Sequence, residues 1–307
     1  MLAFDIGGTK LASAVVAEDG SLVGAQRTPT ARSSDGERLF ADLVALGRAS
    51  LAAGGDVDVV SAGCGGPMRW PEGVVSPLHI PAWRGFPLRE RLAAEFGVDA
   101  VVDNDAKAFA YGEWWRGAGR GSRAMLGMVV STGVGGGIVI DGRLIDGAHG
   151  HAGHIGHVNV DPEGPVCSCG ARGCLTAFAA GTGIARRIAA AKSGGVATSL
   201  DGAADAAQAA AAARAGDAFA AQLFRDAAEA LGRAIASAVA LLDLDLVVIG
   251  GSVALGAWDL IGEILERELR SRARSGFIDV KVMRAALGAD AGLIGAAALV
   301  YRPTDQS

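Results

Sequence analysis

The chain has 307 residues, of which 50% are hydrophobic and 20% charged, and its formal net charge is −5 at pH 7. This length allows two domains with separate cores, and the composition is typical of a globular protein. The acidic balance excludes the basic surface that a polynucleotide requires, so we expect no nucleic-acid partner.

The sequence does not predict a membrane span or a secretory signal. The most apolar stretch, residues 234–258, is interrupted by Asp243 and Asp245. The N-terminal residues MLAFDIGG contain no basic residue, and Asp5 interrupts their apolar run. We therefore expect no membrane partner and a cytoplasmic location, which also suits unpaired thiols.

Strands and helices alternate in the first part of the chain. Apolar runs predict strands, leucine spacing predicts helices, and glycine pairs mark turns and helix ends. The predicted elements are strands 2–6 and 11–17 in a hairpin around GGTK, helix 37–53, strand 57–62 before GCGGP, a loop over 71–86, helix 88–96, strand 100–102 and a helix that opens at Asn104.

The rest of the chain repeats this alternation. A second hairpin around STGVGGG echoes the first and indicates two similarly built halves. The predicted elements are strands 125–130 and 137–140, helices within 175–242 broken at 193–195 and near 216, strand 246–249, helix 257–272, strand 278–283 and helix 292–301. This order predicts an α/β fold.

The first motif that indicates chemistry is DIGGTK, residues 5–10, at the end of the first strand. Amides of Gly7 and Gly8 can approach an anion closely, Thr9 can donate to phosphate, and Asp5 can hold Mg²⁺ through water. A strand follows the turn, so this is not a Walker P-loop. An ordinary hairpin turn needs fewer special residues than these.

Two further glycine turns follow strands. STGVGGG predicts a second phosphate contact through Thr132 and neighbouring amides such as Gly133, although a plain hairpin would also explain part of it. IGGS, with Gly250 and Gly251, can let a nucleotide approach the backbone, and a plain strand-to-helix turn explains it equally well.

The segment Asp103-Asn104-Asp105 leaves a buried strand and enters a helix. A helix N-cap accounts for one of these polar residues. Three in succession leave carboxylates at the edge where open α/β sheets bind ligands. Asp105 is the candidate general base.

The spacing His157-x9-Cys167-x-Cys169-x4-Cys174 supplies one imidazole and three thiolates, which is a typical zinc ligand set. The alternative is a Cys167–Cys169 disulfide, but two cysteines separated by one residue seldom reach disulfide geometry. The fourth cysteine, Cys64, is predicted to be a small buried hydrophobe.

Taken in order, DIGGTK, GGP, NDA, STGVGGG, the GHxxxxxxxxxCxCGxxGC segment and IGGS resemble the ROK family of sugar kinases and related repressors, over essentially the whole chain. The resemblance implies an actin-like ATPase, ribonuclease-H-like fold with an active-site cleft between two α/β domains. These would comprise residues 1–104 plus 289–307, and residues 105–288. It also implies a homodimer.

The implied reaction is phosphoryl transfer from Mg·ATP to a sugar hydroxyl, most often on C6, with Zn²⁺ as a structural ion. The family implies a role for each matching position. Asp105 would be the base, Asn104 would orient the sugar, and Gly250-Gly251 would face the adenosine. The implied phosphate contacts are Asp5, Gly7, Gly8, Thr9, Lys10, Thr132 and Gly133, and the other implied sugar contacts are Gly66, His79, His154, His157 and Thr176.

Three of these sugar positions depart from the glucose kinases of the family, which have Glu at the place of His154 and of Thr176 and Asn at that of His79. Neutral His can donate to an acetamido carbonyl, whereas a carboxylate only accepts. The AGHIGH form resembles bacterial N-acetylmannosamine kinases, whose substrate we therefore favour over that of a glucokinase. His154 could instead simply pack beside the zinc ligands.

The alternative from another functional class is that the protein is a catalytically weak sugar-binding regulator. The missing carboxylates at His154 and Thr176 motivate it. Asp105 beside a phosphate motif argues against it, because binding alone needs no base. Family repressors carry an N-terminal winged helix, and DIGGTK begins at Asp5, so we expect the kinase branch.

Overall fold

The structure, a computed structural model, describes residues 1–31, 35–272 and 279–301. Its internal contacts divide the chain into two compact units. The first unit comprises Met1–Gly121, Gly137–Gly153 and Ala285–Ser307, and the second comprises Ser122–Gly136 and His154–Arg284.

The chain up to residue 121 contains eight strands and three helices within its described residues. In order they are β1 (Leu2–Ile6), β2 (Lys10–Val16), β3 (Leu22–Pro29), α1 (Gly36–Gly54), β4 (Val59–Cys64), β5 (Met68–Arg69), β6 (Val74–Val75), β7 (Phe86–Pro87), α2 (Leu88–Phe96), β8 (Asp99–Asn104) and α3 (Asp105–Arg116). The main sheet has the order β3-β2-β1-β4-β8, and β5, β6 and β7 form a small antiparallel sheet.

The described part of the remaining chain contains five strands and seven helices. They are β9 (Ala124–Val130), β10 (Val134–Ile140), β11 (Arg143–Leu144), α4 (Leu175–Ala179), α5 (Gly181–Ser193), α6 (Ala206–Arg214), α7 (Ala218–Leu242), β12 (Leu246–Gly250), α8 (Ser252–Gly256), α9 (Trp258–Arg272), β13 (Lys281–Arg284) and α10 (Ala291–Ala298). Short 3₁₀ turns lie at Ile155–His157 and Gly288–Asp290.

The main sheet of the first unit is covered on both faces. Because side chains alternate along a strand, Leu2, Phe4 and Ile6 of β1 join a large core with α1 and α2. Ala3 faces the other way and packs with Leu293 of α10 in a smaller core. Asp5 shares the face of Ala3, so the pattern of the strand directs its carboxylate toward α10.

In the second unit, β9, β12 and β13 are parallel, with Gly250 opposite Val129 and Ile249 opposite Arg284. The long helix α7 packs against α4 and α9. β10 begins in this unit and continues into the first, where Val139 pairs with Leu144 of β11. No helix among the described residues is long and apolar enough to span a membrane.

The predicted elements are confirmed as to type, with shifted ends, but several strands were missed. β3 contains Gly24 and Pro29, which weaken a strand pattern, and the small strands β5–β7 lie in and beside the predicted loop. Residues 194–205 carry no helix, because α6 starts only after Asp205 and its capping box with Gln208. The predicted strand 278–283 begins outside the described residues and is found at Lys281–Arg284.

Two further observations concern glycines. β10 starts at Val134, three residues before the predicted strand 137–140, so Gly135 and Gly136 also lie in a strand; a Cβ on Gly137 would lie 2.8 Å from the Cβ of Ala110 in α3. The two domains with a boundary at residue 104 stay a prediction, while the observed division keeps α3 in the first unit. The cause is close helix packing, because a Cβ on Gly112 would lie 2.7 Å from Cα of Gly295 in α10.

Candidate functional site

Three parallel strands of the first unit end at one edge of the main sheet. In their register Asp5 lies opposite Gly63, and Gly63 lies opposite Asp103. The turns that follow these strands carry GGTK, GCGGP and the start of α3. The structure therefore brings together motifs that are about 100 residues apart in the chain.

The GCGGP turn lies against the start of α3. A Cβ on Gly65 would lie 3.7 Å from Oδ2 of Asp105, and one on Gly66 would lie 3.7 Å from Nδ2 of Asn104. Cys64, just before this turn, is fully buried, as predicted, and burial raises the pKa of its thiol well above the ordinary value. It is therefore an apolar packing residue.

Asn104 and Asp105 have different roles at the start of α3. The Oδ1 of Asn104 accepts the N–H of Ala106 at 3.1 Å, so the predicted N-cap is Asn104. Asp105 is accessible, but its carboxyl lies among densely packed protein atoms. Reduced hydration, followed by the negative charge of Asp5, raises the pKa of Asp105. A raised pKa makes the carboxylate a stronger base.

The GGTK turn is fixed by hydrogen bonds and packs closely against another side chain. The N–H of Gly7 donates to the carbonyl of Lys10 at 3.0 Å, and the hydroxyl of Thr30 donates to the carbonyl of Gly7 at 2.6 Å. A Cβ on Gly8 would lie 2.3 Å from Cβ of His79, so only glycine fits. His79 packs on the GGTK turn, while its contact with a sugar stays a prediction. Thr9 is exposed.

Asp5 is fixed by a charge and by a close helix. Its Oδ2 lies 3.3 Å from Nζ of Lys10. A Cβ on Gly292, at the start of α10, would lie 2.3 Å from Cγ of Asp5, so α10 can approach only through a glycine. A half-buried carboxylate oxygen beside the glycine turn fits the oxygen preference of Mg²⁺.

The second glycine turn lies within the second unit, where three chain segments meet. The N–H of Gly181, at the start of α5, donates to the carbonyl of Ser131 at 2.8 Å. The hydroxyl of Thr182 donates to the carbonyl of Thr132 at 2.9 Å, which places α5 beside Thr132 and Gly133. No local pattern predicts the position of Thr182, because it depends on tertiary packing.

The Gly250-Gly251 turn lies on the other side of the same strands. Gly251 has a φ of 95°, and a Cβ there would lie 2.3 Å from the carbonyl oxygen of Val130. The hydroxyls of Ser131 and Ser252 are 2.9 Å apart. The turn therefore needs glycine for two reasons, its conformation and the close approach of β9.

The four predicted zinc ligands meet in the second unit. The ligand atoms of His157, Cys167, Cys169 and Cys174 all lie within 4.8 Å of one another. The sulfurs of Cys169 and Cys174 are 3.7 Å apart, and Sγ of Cys167 is 4.0 Å from Nδ1 of His157. A tetrahedral ion with 2.3 Å metal–sulfur bonds requires ligand separations of about 3.8 Å, so the residues fit zinc.

The thiols themselves differ in their surroundings. All four cysteines of the chain are free, so the disulfide alternative is not realised. The N–H of Ala171 lowers the pKa of the Cys169 thiol, whereas burial raises that of Cys174 to about 12. A divalent cation would favour the thiolate of each.

The loop before this cluster carries the remaining predicted sugar contacts. His154 is exposed, and its carbonyl accepts the N–H of His157 at 3.1 Å. Thr176 is buried, and its hydroxyl donates to the carbonyl of Gly156 at 2.8 Å. Thr176 thus holds the 3₁₀ turn between the two histidines, while its contact with a sugar stays a prediction.

Sequence reasoning missed one charged residue beside the candidate base. Lys107 is fully buried in α3 and pairs with Asp103 and Asp146. A lysine two residues after the helix start is ordinarily a solvated residue, so composition and spacing gave no signal.

Comparison with known proteins identifies the family to which the chain belongs. The family model described as "ROK family" matches residues 1–302. A glucokinase from Thermotoga maritima is 33% identical, over 98% of this chain and 96% of the relative. An N-acetylmannosamine kinase from Yersinia pseudotuberculosis is also 33% identical, over 96% of each chain.

The fold comparison gives the same result. The crystal structure of a ROK hexokinase from Thermus thermophilus has a TM-score of 0.88 and 35% identity, and the match covers 98% of this chain and 97% of the other. The α/β, actin-like ATPase fold expected from the sequence is thereby confirmed.

Proposed function

The chain belongs to the ROK family, and we propose that it is an ATP-dependent sugar kinase that phosphorylates the 6-hydroxyl of a hexose. The observation that carries this proposal is the position of Asp105. Its carboxyl, with a raised pKa, begins a helix at the same sheet edge as the GGTK turn. A base beside a phosphate-binding turn suits transfer to a hydroxyl.

In the proposed reaction Asp105 accepts the proton of the 6-hydroxyl as its oxygen forms a bond to the γ-phosphorus. The bond from that phosphorus to the β-phosphate oxygen breaks, and ADP leaves. Asn104 orients the sugar. Mg²⁺, held through water by Asp5, would neutralise phosphate charge, and the amides of Gly7 and Gly8 with the Thr9 hydroxyl would bind the phosphates.

The second unit is proposed to supply the remaining contacts. Thr132 and Gly133 would bind phosphate, and Gly250-Gly251 would lie against adenosine. Zinc bound by His157 and the three cysteines would fix the loop that carries His154. Support comes from the convergence of the glycine turns with the N-terminus of α5 and from ligand separations that suit a tetrahedral ion.

For the sugar we propose N-acetylmannosamine, with glucose as the alternative. The support is His154, an exposed group able to donate to an acetamido carbonyl. The relatives do not discriminate, because one is named a glucokinase and the other an N-acetylmannosamine kinase at the same identity of 33%.

A coupled ADP-release assay tests both levels of the proposal. N-acetylmannosamine, N-acetylglucosamine, glucose, mannose and fructose are compared at equal concentrations. Highest turnover of N-acetylmannosamine is expected. Turnover of glucose alone would overturn the substrate, and no turnover of any sugar would overturn the kinase and favour a sugar-binding regulator.

A further inference from the structure

Lys107 is an unusual residue, because a lysine with no solvent exposure must satisfy a full charge inside the protein. Its ammonium has three N–H donors, and three acceptors surround it. Nζ lies 3.0 Å from the carboxylate of Asp103, 2.6 Å from Oδ1 of Asp146 and 3.4 Å from the carbonyl of Gly150. Every donor is therefore used.

One side of this ion pair leads directly to the candidate base. Asp103 is also buried, and its Oδ1 accepts the N–H of Asn104 at 2.7 Å. Asn104 in turn caps the helix that begins with Asp105. The ammonium thus holds the backbone of Asp103 and Asn104, directly before Asp105, in place.

The other side holds a short loop of the first unit, residues 146–152, which we call the anchored loop. It is closed by the N–H of Ala152, which donates to the carbonyl of Asp146 at 3.0 Å. Residues 147–149 are exposed, whereas Gly150 is buried. The contacts of Lys107 with Asp146 and Gly150 hold the loop against the helix that carries Asp105.

Trp70 completes the anchor. Its indole ring lies 5.4 Å from Nζ of Lys107, a cation–π distance. A Cβ on Gly150 would lie 2.5 Å from Cβ and Cγ of Trp70, so the loop packs directly on this side chain. The loop is therefore fixed at both ends, and the chain leaves it only two residues before His154.

We propose that Lys107 is a positioning residue for the sugar substrate. Through Asp103 its ammonium fixes the backbone of Asn104, and through Asp146 and Gly150 it fixes the anchored loop to the same end of the helix that carries Asp105. The inference rests on the proposed sugar-kinase function and assigns to this buried ion pair the task of holding Asn104, the proposed sugar-orienting residue, in place beside the base.

Asp146→Ala in the full chain tests the proposal, because Asp146 is partly exposed and its loss leaves Lys107 paired with the buried Asp103. The KM for the preferred sugar is expected to rise about 3- to 30-fold, the range for a residue that acts through another. The kcat and the KM for ATP should change by less than about twofold. Amide exchange at Ala152 should accelerate.

Two variants make the result specific. Asp146→Asn keeps an oxygen acceptor for Lys107 and should restore much of the sugar KM. Glu95→Ala removes the Arg48–Glu95 ion pair of the same unit, whose carboxylate has 28% side-chain exposure against 21% for Asp146. This matched control should leave both KM values unchanged.

An unchanged sugar KM in Asp146→Ala would overturn the proposal, as would an equal rise of both KM values, which would indicate general loosening. If the wild-type protein turned over no sugar, the proposed function itself would fail. Calorimetric affinity for the same sugars would then replace KM, and an unaltered affinity in Asp146→Ala would overturn the inference separately.

Discussion

Replacing Lys107 by methionine is predicted to destabilise the first unit strongly. Methionine matches the aliphatic part of the lysine but removes its charge. The side chain of Asp103 is only 2% exposed, so its carboxylate would stay buried with the loss of its cation. Asp146, with 21% exposure, can gain hydration and contributes less.

Removal of one partner of a buried pair costs about 3–5 kcal/mol. For a unit of about 160 residues, such as the first unit, 1 kcal/mol shifts the melting temperature by about 2–4 °C, so the expected loss is about 6–20 °C. Scanning calorimetry of Lys107→Met against the wild-type protein measures it. Asp103→Asn combined with Lys107→Met leaves no buried charge and should recover much of the loss.

A melting temperature of Lys107→Met within about 2 °C of wild type, less than the shift for 1 kcal/mol, would refute the reasoning. So would a double variant less stable than Lys107→Met, because the destabilisation would then not come from the uncompensated carboxylate. The Glu95→Ala control should shift the melting temperature little, since an exposed ion pair contributes about 0–1 kcal/mol.

Three further predictions concern the site. The base must be ionised, so kcat/KM should fall as pH drops through the raised pKa of Asp105. Asp5→Asn removes one cause of the raised pKa and should move the acid limb of the pH profile to lower pH. An acid limb at the same pH as in the wild-type protein would contradict this prediction. His154→Glu should shift preference from N-acetylmannosamine toward glucose in the ADP-release panel, and an unchanged ratio would show that His154 does not read the sugar. Chelation of zinc, or the substitution Cys174→Ser, should lower the calorimetric affinity for the sugar while the affinity for ATP is still unchanged. Loss of ATP affinity first would contradict the proposal that zinc fixes the loop that carries His154.

The strands, turns and helix cap of the first unit could be predicted from the sequence because local patterns determine them. The strand that carries Asp5, the glycine turn after it and the cap at Asn104 are each decided within a few residues. Their assembly also followed, since parallel strands must end at a common edge.

Other features depend on residues distant in the chain, and no local pattern could reveal them. Lys107 meets Asp146 across 39 positions, and Thr182 meets Thr132 across 50. Gly135 and Gly136 looked like loop glycines, but they lie in β10. His79 packs against Gly8, 71 positions away in the chain, and no local pattern predicted this contact.

The measurement that tests the central claim most directly is phosphoryl transfer by Asp105→Asn. With saturating Mg·ATP and the preferred sugar, the variant should form ADP about 10²- to 10⁴-fold more slowly than wild type, because the proton acceptor is lost. Its calorimetric affinity for the sugar should remain close to that of the wild-type protein. Turnover within about threefold of wild type would contradict the assignment of Asp105 as the base, since removal of a general base costs far more than that.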